Sequence, residues 1–152
     1  MRPGDALLLF AQTSHNDLGL LLTNASSAIT SELFARLTAL GHTVRPALMP
    51  VIGGLDPEGT SISVLATRAQ ISRQAMSMLV RDVESAGYVV TSPDPADRRA
   101  IRVELTERGA ELCRDAADVS RAITAEWRAA LGAGPFETVV ESVRTIGSNP
   151  AR

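Results

Sequence analysis

Apolar residues recur along this chain at two different periods, and the change of period divides it. Between residues 14 and 40, Leu18, Leu21, Leu22, Ala25, Ile29, Leu33, Leu37 and Leu40 fall at helical spacing. They predict one long helix that Gly41 ends. Thr43 is expected to cap a second helix, Val44 to about Gly53, with Leu48, Val51 and Ile52 inward and Pro46 tolerated in the first turn. Gly53-Gly54 and Asp56-Pro57-Glu58-Gly59 read as a loop. Ser61 to Arg68 then reads as a short helix with Thr60 or Ser61 as its cap, and Ala69-Gln70-Ile71 as a turn. Ser72 caps a longer helix running to about Ala86, where Gly87 is placed to terminate it. In that helix Met76, Leu79, Val80 and Val83 make one apolar stripe. The opposite face carries Gln74, Ser77, Met78, Arg81 and Ser85, with Arg73 toward its edge.

The period then shortens. Tyr88-Val89-Val90-Thr91 is β-branched and aromatic, and Ile101 to Leu105 alternates apolar with polar, as a strand with one buried face does. Pro93 and Pro95 are expected to stop regular pairing and to leave Asp94, Asp97, Arg98 and Arg99 at the tip of a long hairpin. Thr106 caps a helix from Glu107 to about Leu131, with Leu112, Ala116, Val119, Ile123 and Trp127 on one side. Gly132-Ala133-Gly134-Pro135 is expected to break it. A last helix, Phe136 to about Ile146, carries Val139, Val140, Val143 and Ile146. The expected fold is mainly α with a small β-hairpin.

A helix pair whose second member shows an arginine-bearing polar face is what the DNA major groove accepts, and a following hairpin can press arginines against the same polyanion. The order helix, helix, Arg-tipped hairpin, helix resembles the winged helix-turn-helix of the multiple-antibiotic-resistance regulator (MarR) family. The resemblance is most specific in DPADRRAIRVELTERG, Asp94 to Gly109, where Asp94, Asp97, Arg99, Leu105, Thr106 and Gly109 match the family's wing signature and Ala96 departs from it. It implies a single domain over 1–152, with a winged-helix DNA-binding lobe at 43–109 and dimerisation helices at 1–42 and 110–152. It also implies a homodimer on a pseudo-palindromic double-stranded DNA operator, most often as a repressor. A small lipophilic or phenolic effector would bind between the dimerisation helices and the reading lobe. His42, Arg45, Met49 and Trp127 are the candidates near that junction. On the wing, Asp97 would brace Arg99 for the minor groove, and Arg98 would meet phosphate.

Charge changes the picture little. The chain of 152 residues has a net charge of −2, yet Ser61 to Gly109 holds seven arginines against six acids, the sign a DNA-reading segment needs. DNA contact must therefore rest on local placement. Every basic side chain is arginine, whose planar fork suits guanine edges and phosphates. On the reading helix, Arg73, Gln74, Ser77 and Arg81 supply groups that bond bases or phosphates, with Ser72 at its start; Met78 meets either a thymine methyl or a neighbouring side chain. A protein-interaction module that kept the winged fold without reading DNA is the alternative.

Other chemistry is poorly supported. No apolar run approaches the roughly 20 residues that span a bilayer, and Leu7 to Phe10 is too short for the core of a signal peptide. The lone cysteine suits a reducing cytoplasm. Cys113 lies next to the stripe of Leu112 and Ala116, so burial is expected, and Glu111 and Asp115 are expected to raise its thiol pKa. His15 and His42 have no metal-ligand spacing, and the sequence carries no phosphate-binding glycine loop, metalloprotease helix or nucleophile elbow. No cofactor and no enzymatic activity are expected.

Overall fold

The computed structural model describes residues 2–14, 17–95, 97 and 99–148. The helices are α1 (Pro3–Ser14), α2 (Leu18–Ala39), α3 (Met49–Ile52, entered through a 3-10 turn at Pro46–Leu48), α4 (Ile62–Arg68), α5 (Arg73–Ser85), α6 (Glu107–Leu131) and α7 (Ala133–Ser148). Strands β1 (Thr60–Ser61), β2 (Val89–Pro93) and β3 (Ile101–Leu105) form one antiparallel sheet in the order β1-β3-β2.

Three helix boundaries differ from the sequence expectation, each for a local reason. The helix expected from residue 14 begins only at Leu18, because the Asp17 side chain accepts the Leu20 N–H at 2.9 Å and caps it there. Ahead of it α1 exists after all. Its Leu7-Leu8-Leu9-Phe10 run is exposed throughout, so it carries no one-sided pattern to read. Thr43 caps nothing: its N–H donates to the Tyr88 Oη at 2.9 Å, and the helical turn starts at Pro46 behind Arg45, which makes no side-chain cap. Leu48, Val51 and Ile52 are nevertheless buried as expected. The break after α6 is narrower than the sequence suggests. Gly132 alone turns the chain, at φ 83°, and α7 starts at Ala133. His15 lies outside the described residues.

From α4 to the start of β2 the structure follows the sequence closely. Ser61 caps α4 through the Val64 N–H, Ser72 caps α5 through the Ala75 N–H, and Gly87 takes the left-handed φ of 80° that ends the turn after α5. Met76, Val80 and Val83 are buried and Leu79 packs beside them. The sheet has one strand more than expected: Thr60 pairs with Val103 and Ser61 with Arg102. Pro93 does not stop the ladder; it pairs with Ile101. The Thr91 N–H points away from β3, toward Glu84. Two residues on, the Pro93 nitrogen faces the same outer edge, where a missing donor costs nothing.

The core joins the two halves of the chain at Tyr88. Its ring is fully buried, and its Oη lies 3.4 Å from His42 Nδ1, while His42 Nε2 lies 2.9 Å from an Asp115 carboxylate oxygen on α6. The Arg108 guanidinium stands 5.0 Å over the Tyr88 ring, a cation–π contact. The Tyr88 carbonyl accepts the Thr106 N–H at 3.1 Å, and the Thr106 hydroxyl donates to Gly87 O and accepts the Gly109 N–H. The first turn of α6 is thereby pressed onto the start of β2. A second tie joins α2 to α6: Arg36 grips Glu126 with two nitrogens, at 2.7 and 2.8 Å, and Glu32 with a third. The guanidinium holds the Glu126 carboxyl below its usual range. That contribution is complete at neutral pH and is lost on acidification as the depressed carboxyl takes up its proton. Farther along α6, Leu112, Val119 and Ile123 are buried and Ala116 packs against the core. Trp127 departs from that stripe and is 46% exposed. No residue of α7 is buried.

A Cβ built on Gly109 would stand 2.1 Å from the Tyr88 carbonyl oxygen and 2.7 Å from Leu105 Cδ1. Backbone cannot swing aside as a side chain can, so Gly109→Ala is expected to destabilise the fold by about 2–3 kcal/mol. Urea unfolding of the two proteins measures this directly; an unchanged midpoint would mean that the close approach is not held in solution.

Candidate nucleic-acid interface

Helix α5 is oriented by its own sequence. The stripe from Met76 to Val83 faces the core, so the other side must face out. Arg73, Gln74 and Arg81 are exposed there, and Met78 is 58% exposed. Ser77 is half-buried, and its hydroxyl donates to the Arg73 carbonyl at 2.8 Å. The Arg81 Nε donates to the Ser77 carbonyl at 3.2 Å, which lays the guanidinium along the helix. The Ser72 hydroxyl accepts the Ala75 N–H, so its oxygen already has structural work at the helix N-terminus. Among the described residues, no ion pair engages Arg73, Arg81 or Arg99.

The hairpin tip is a tight hydrogen-bonded turn. The Asp94 N–H donates to Ala100 O at 3.0 Å, and the Ala100 N–H to Asp97 O at 2.8 Å. The Asp97 carboxylate accepts the Arg99 backbone N–H at 3.0 Å. Asp97 therefore braces the backbone that carries Arg99, as an Asx turn does, and leaves the guanidinium exposed. Arg98 and Ala96 lie outside the described residues. Between α5 and the hairpin lies a cleft of about 240 Å³, lined by Ser77, Val80, Arg81, Glu84, Thr91 and Ile101. One cleft thus joins α5, at Ser77, Arg81 and Glu84, to the hairpin, at Thr91 and Ile101. Glu84, on the wall of that cleft, was missed by sequence reasoning. Its meaning depends on Thr91, which only the fold brings to it.

The four residues expected at an effector pocket have different surroundings. His42 is buried between Tyr88 and Asp115; Arg45 is exposed and pairs with Asp82 on α5 at 3.6 Å; Met49 is half-buried at the start of α3. Trp127 lies apart from them. It lines an apolar groove of about 430 Å³ among α2, α6 and α7, with Ile29, Leu33, Ile123, Phe136 and Val143. Cys113 is exposed rather than buried, since one step around α6 from Leu112 already faces outward. Partial desolvation pushes its thiol pKa up and Arg114 opposes this; the neighbouring acids expected to act do not figure among the causes, and Asp115 is engaged by His42. Among the described residues, no group of three potential metal ligands clusters.

Comparison with known proteins agrees with this geometry. A model of the MarR family matches residues 50–100, which run from α3 into the wing tip. The HTH-type transcriptional repressor Rv2887 of Mycobacterium tuberculosis is 30% identical over 132 residues, covering 87% of this chain and 94% of that protein. Among solved structures, CouR bound to a 23-mer DNA duplex superposes with a TM-score of 0.70 at 22% identity, over 88% of this chain and 94% of that one. CouR from Rhodococcus jostii RHA1 bound to p-coumaroyl-CoA gives 0.66 at 25% identity, over 88% and 90%. The outward polar face of α5, the braced arginine turn and a relative matching along nearly its whole length have one common explanation: this chain belongs to the MarR family of winged helix-turn-helix transcriptional regulators.

Proposed function

We propose that this protein is a cytoplasmic repressor that binds a pseudo-palindromic double-stranded DNA operator as a homodimer and leaves it when a small lipophilic or phenolic effector binds. The observation that carries the reading is the pairing of an outward polar side of α5 with an arginine-tipped hairpin across one cleft. Arg73, Gln74, Met78 and Arg81 are exposed on α5, and Arg99 is exposed on the hairpin, on a turn held by Asp97. A helix of this kind fits the major groove while the wing arginine reaches the adjacent minor groove. Gln74 reads a base edge, and Ser77 and Arg81 bond base or phosphate. Arg98 and Ser72 meet the backbone. The repressor sense and the DNA partner draw on the relative from Mycobacterium tuberculosis and on the DNA-bound CouR.

The dimer is supported by apolar surface that one chain leaves uncovered. Leu7 to Phe10 on α1, Leu18 and Leu21 on α2, Leu131 on α6, and Val139, Val143 and Ile146 on α7 are all exposed. Apolar surface on this scale marks an interaction site, and self-complementary two-fold pairing is the commonest way to cover it. Two reading helices would then lie about one DNA turn, roughly 34 Å, apart. The apolar groove beside Trp127 is the proposed effector site. Its occupation would act by favouring a spacing of reading helices that misfits the operator.

Arg99→Ala should weaken binding to a duplex selected from a random pool by about 1–3 kcal/mol and leave unfolding unchanged. Fluorescence titration at one salt concentration checks it, and equal affinities would remove Arg99 from recognition. Gln74→Ala should flatten preference at particular base pairs rather than weaken every sequence alike. If the parent protein prefers no sequence and its binding hardly depends on salt, a protein-interaction module is the better description. Light scattering at micromolar concentration should give the mass of two chains, and a stable monomer would defeat the dimeric arrangement.

A further inference from the structure

Strand β2 is an edge of the sheet, since the order is β1-β3-β2. Its outward donor at Thr91 does not face solvent. Glu84 of α5 takes both the Thr91 N–H, at 2.8 Å, and the Thr91 hydroxyl, at 2.7 Å, on a single carboxylate oxygen. Hydrogen bonds to an ionised acceptor are short and stronger than neutral ones, and two of them from one residue fix direction as well as distance. On α5, Glu84 stands three residues beyond Arg81 and seven beyond Ser77, so the three share one rail of the helix. All three line the cleft opposite Thr91 and Ile101. A negative charge beside arginines that meet phosphate opposes DNA binding. What the carboxylate supplies at this position is a mechanical link between the reading helix and the wing.

We propose that Glu84 is a positioning residue for DNA recognition: by holding Thr91 it fixes the wing against α5, so that the helix side chains and Arg99 reach adjacent grooves of one duplex with a set spacing. The inference rests on the DNA-reading proposal and adds a residue that touches no DNA. It separates two roles for an acidic group in this place. A positioning carboxylate is replaceable by an amide that still accepts from Thr91, whereas a carboxylate acting through its charge is not.

The test uses Glu84→Ala and Glu84→Gln in the full chain, each also combined with Arg99→Ala, and two readouts. Amide exchange in residues 89–105 should speed up about tenfold in Glu84→Ala, with α4 and α5 unchanged, and stay near the parent rate in Glu84→Gln. On a duplex selected from a random pool by the parent, Glu84→Ala should lose about tenfold in affinity and lose preference at the base pairs under the wing, keeping it at those under α5. Glu84→Gln should stay within about twofold. In the Arg99→Ala background, Glu84→Ala should cost little more, because the wing has nothing left to place. The proposal is overturned if both Glu84 variants bind more tightly, which assigns the residue to charge. It is overturned equally if Glu84→Ala lowers affinity for all sequences in step with a lower melting temperature. Should the parent select no sequence, the DNA-reading proposal fails by itself, and the exchange rates alone decide whether Glu84 holds the wing.

Discussion

The whole arrangement depends on how closely the first turn of α6 can approach the start of β2. The Tyr88 carbonyl receives the Thr106 N–H, and the place where a side chain at position 109 would sit is filled by that same carbonyl. Only glycine permits the approach. Because it occurs, Thr106 can reach both Gly87 and Gly109 with one hydroxyl, and Arg108 can lie over the Tyr88 ring. Because Tyr88 is held there, its hydroxyl can collect His42 and Thr43, which follow the C-terminal end of α2. A few polar atoms around one buried ring thus set the direction of the long helix α6 relative to the sheet and to α5. The orientation of the outward side of α5 relative to α6 follows from that direction.

The reading lobe was legible in the sequence because its signals are local. Ser61, Ser72 and Thr106 each cap the helix that they precede, and Gly87 ends α5, each within a few residues of its effect. The apolar stripe of α5 and the alternation of Ile101 to Leu105 have the periods of the structures they form. What the sequence hid depends on distant partners or lacks a period. Helix α1 carries four consecutive large apolar residues, which mark no face. Strand β1 is two residues long and exists only because β3 runs beside it. Thr43 resembles a cap until Tyr88 claims its N–H across 45 positions. The wing signature implied that Asp97 braces Arg99; that the brace runs through the arginine's backbone N–H is a detail that residue types do not encode.

The residues expected near an effector pocket show what fold-dependent surroundings add. His42, Arg45, Met49 and Trp127 were grouped by their expected nearness to one junction. In the fold they serve separate purposes: a buried hydrogen bond to α6, a surface ion pair to α5, a place beside α3 and the lip of a groove among three helices. Cys113 likewise turned on a rotation of one helical step, which decides exposure but which a stripe with an ambiguous edge leaves open.

The edge of the wing has a consequence for assembly. An open strand edge invites another strand, and proteins that associate through helices need that invitation withdrawn. Here two successive outward positions of β2 offer no free donor. Thr91 has given its N–H to Glu84, and Pro93 has none to give. A chain with so much uncovered helical surface would otherwise have two ways to find its own copies, one through helices and one through strands. With the strand route closed, the uncovered apolar surface lies on the helices, and the arginine-bearing hairpin stays clear of strand pairing.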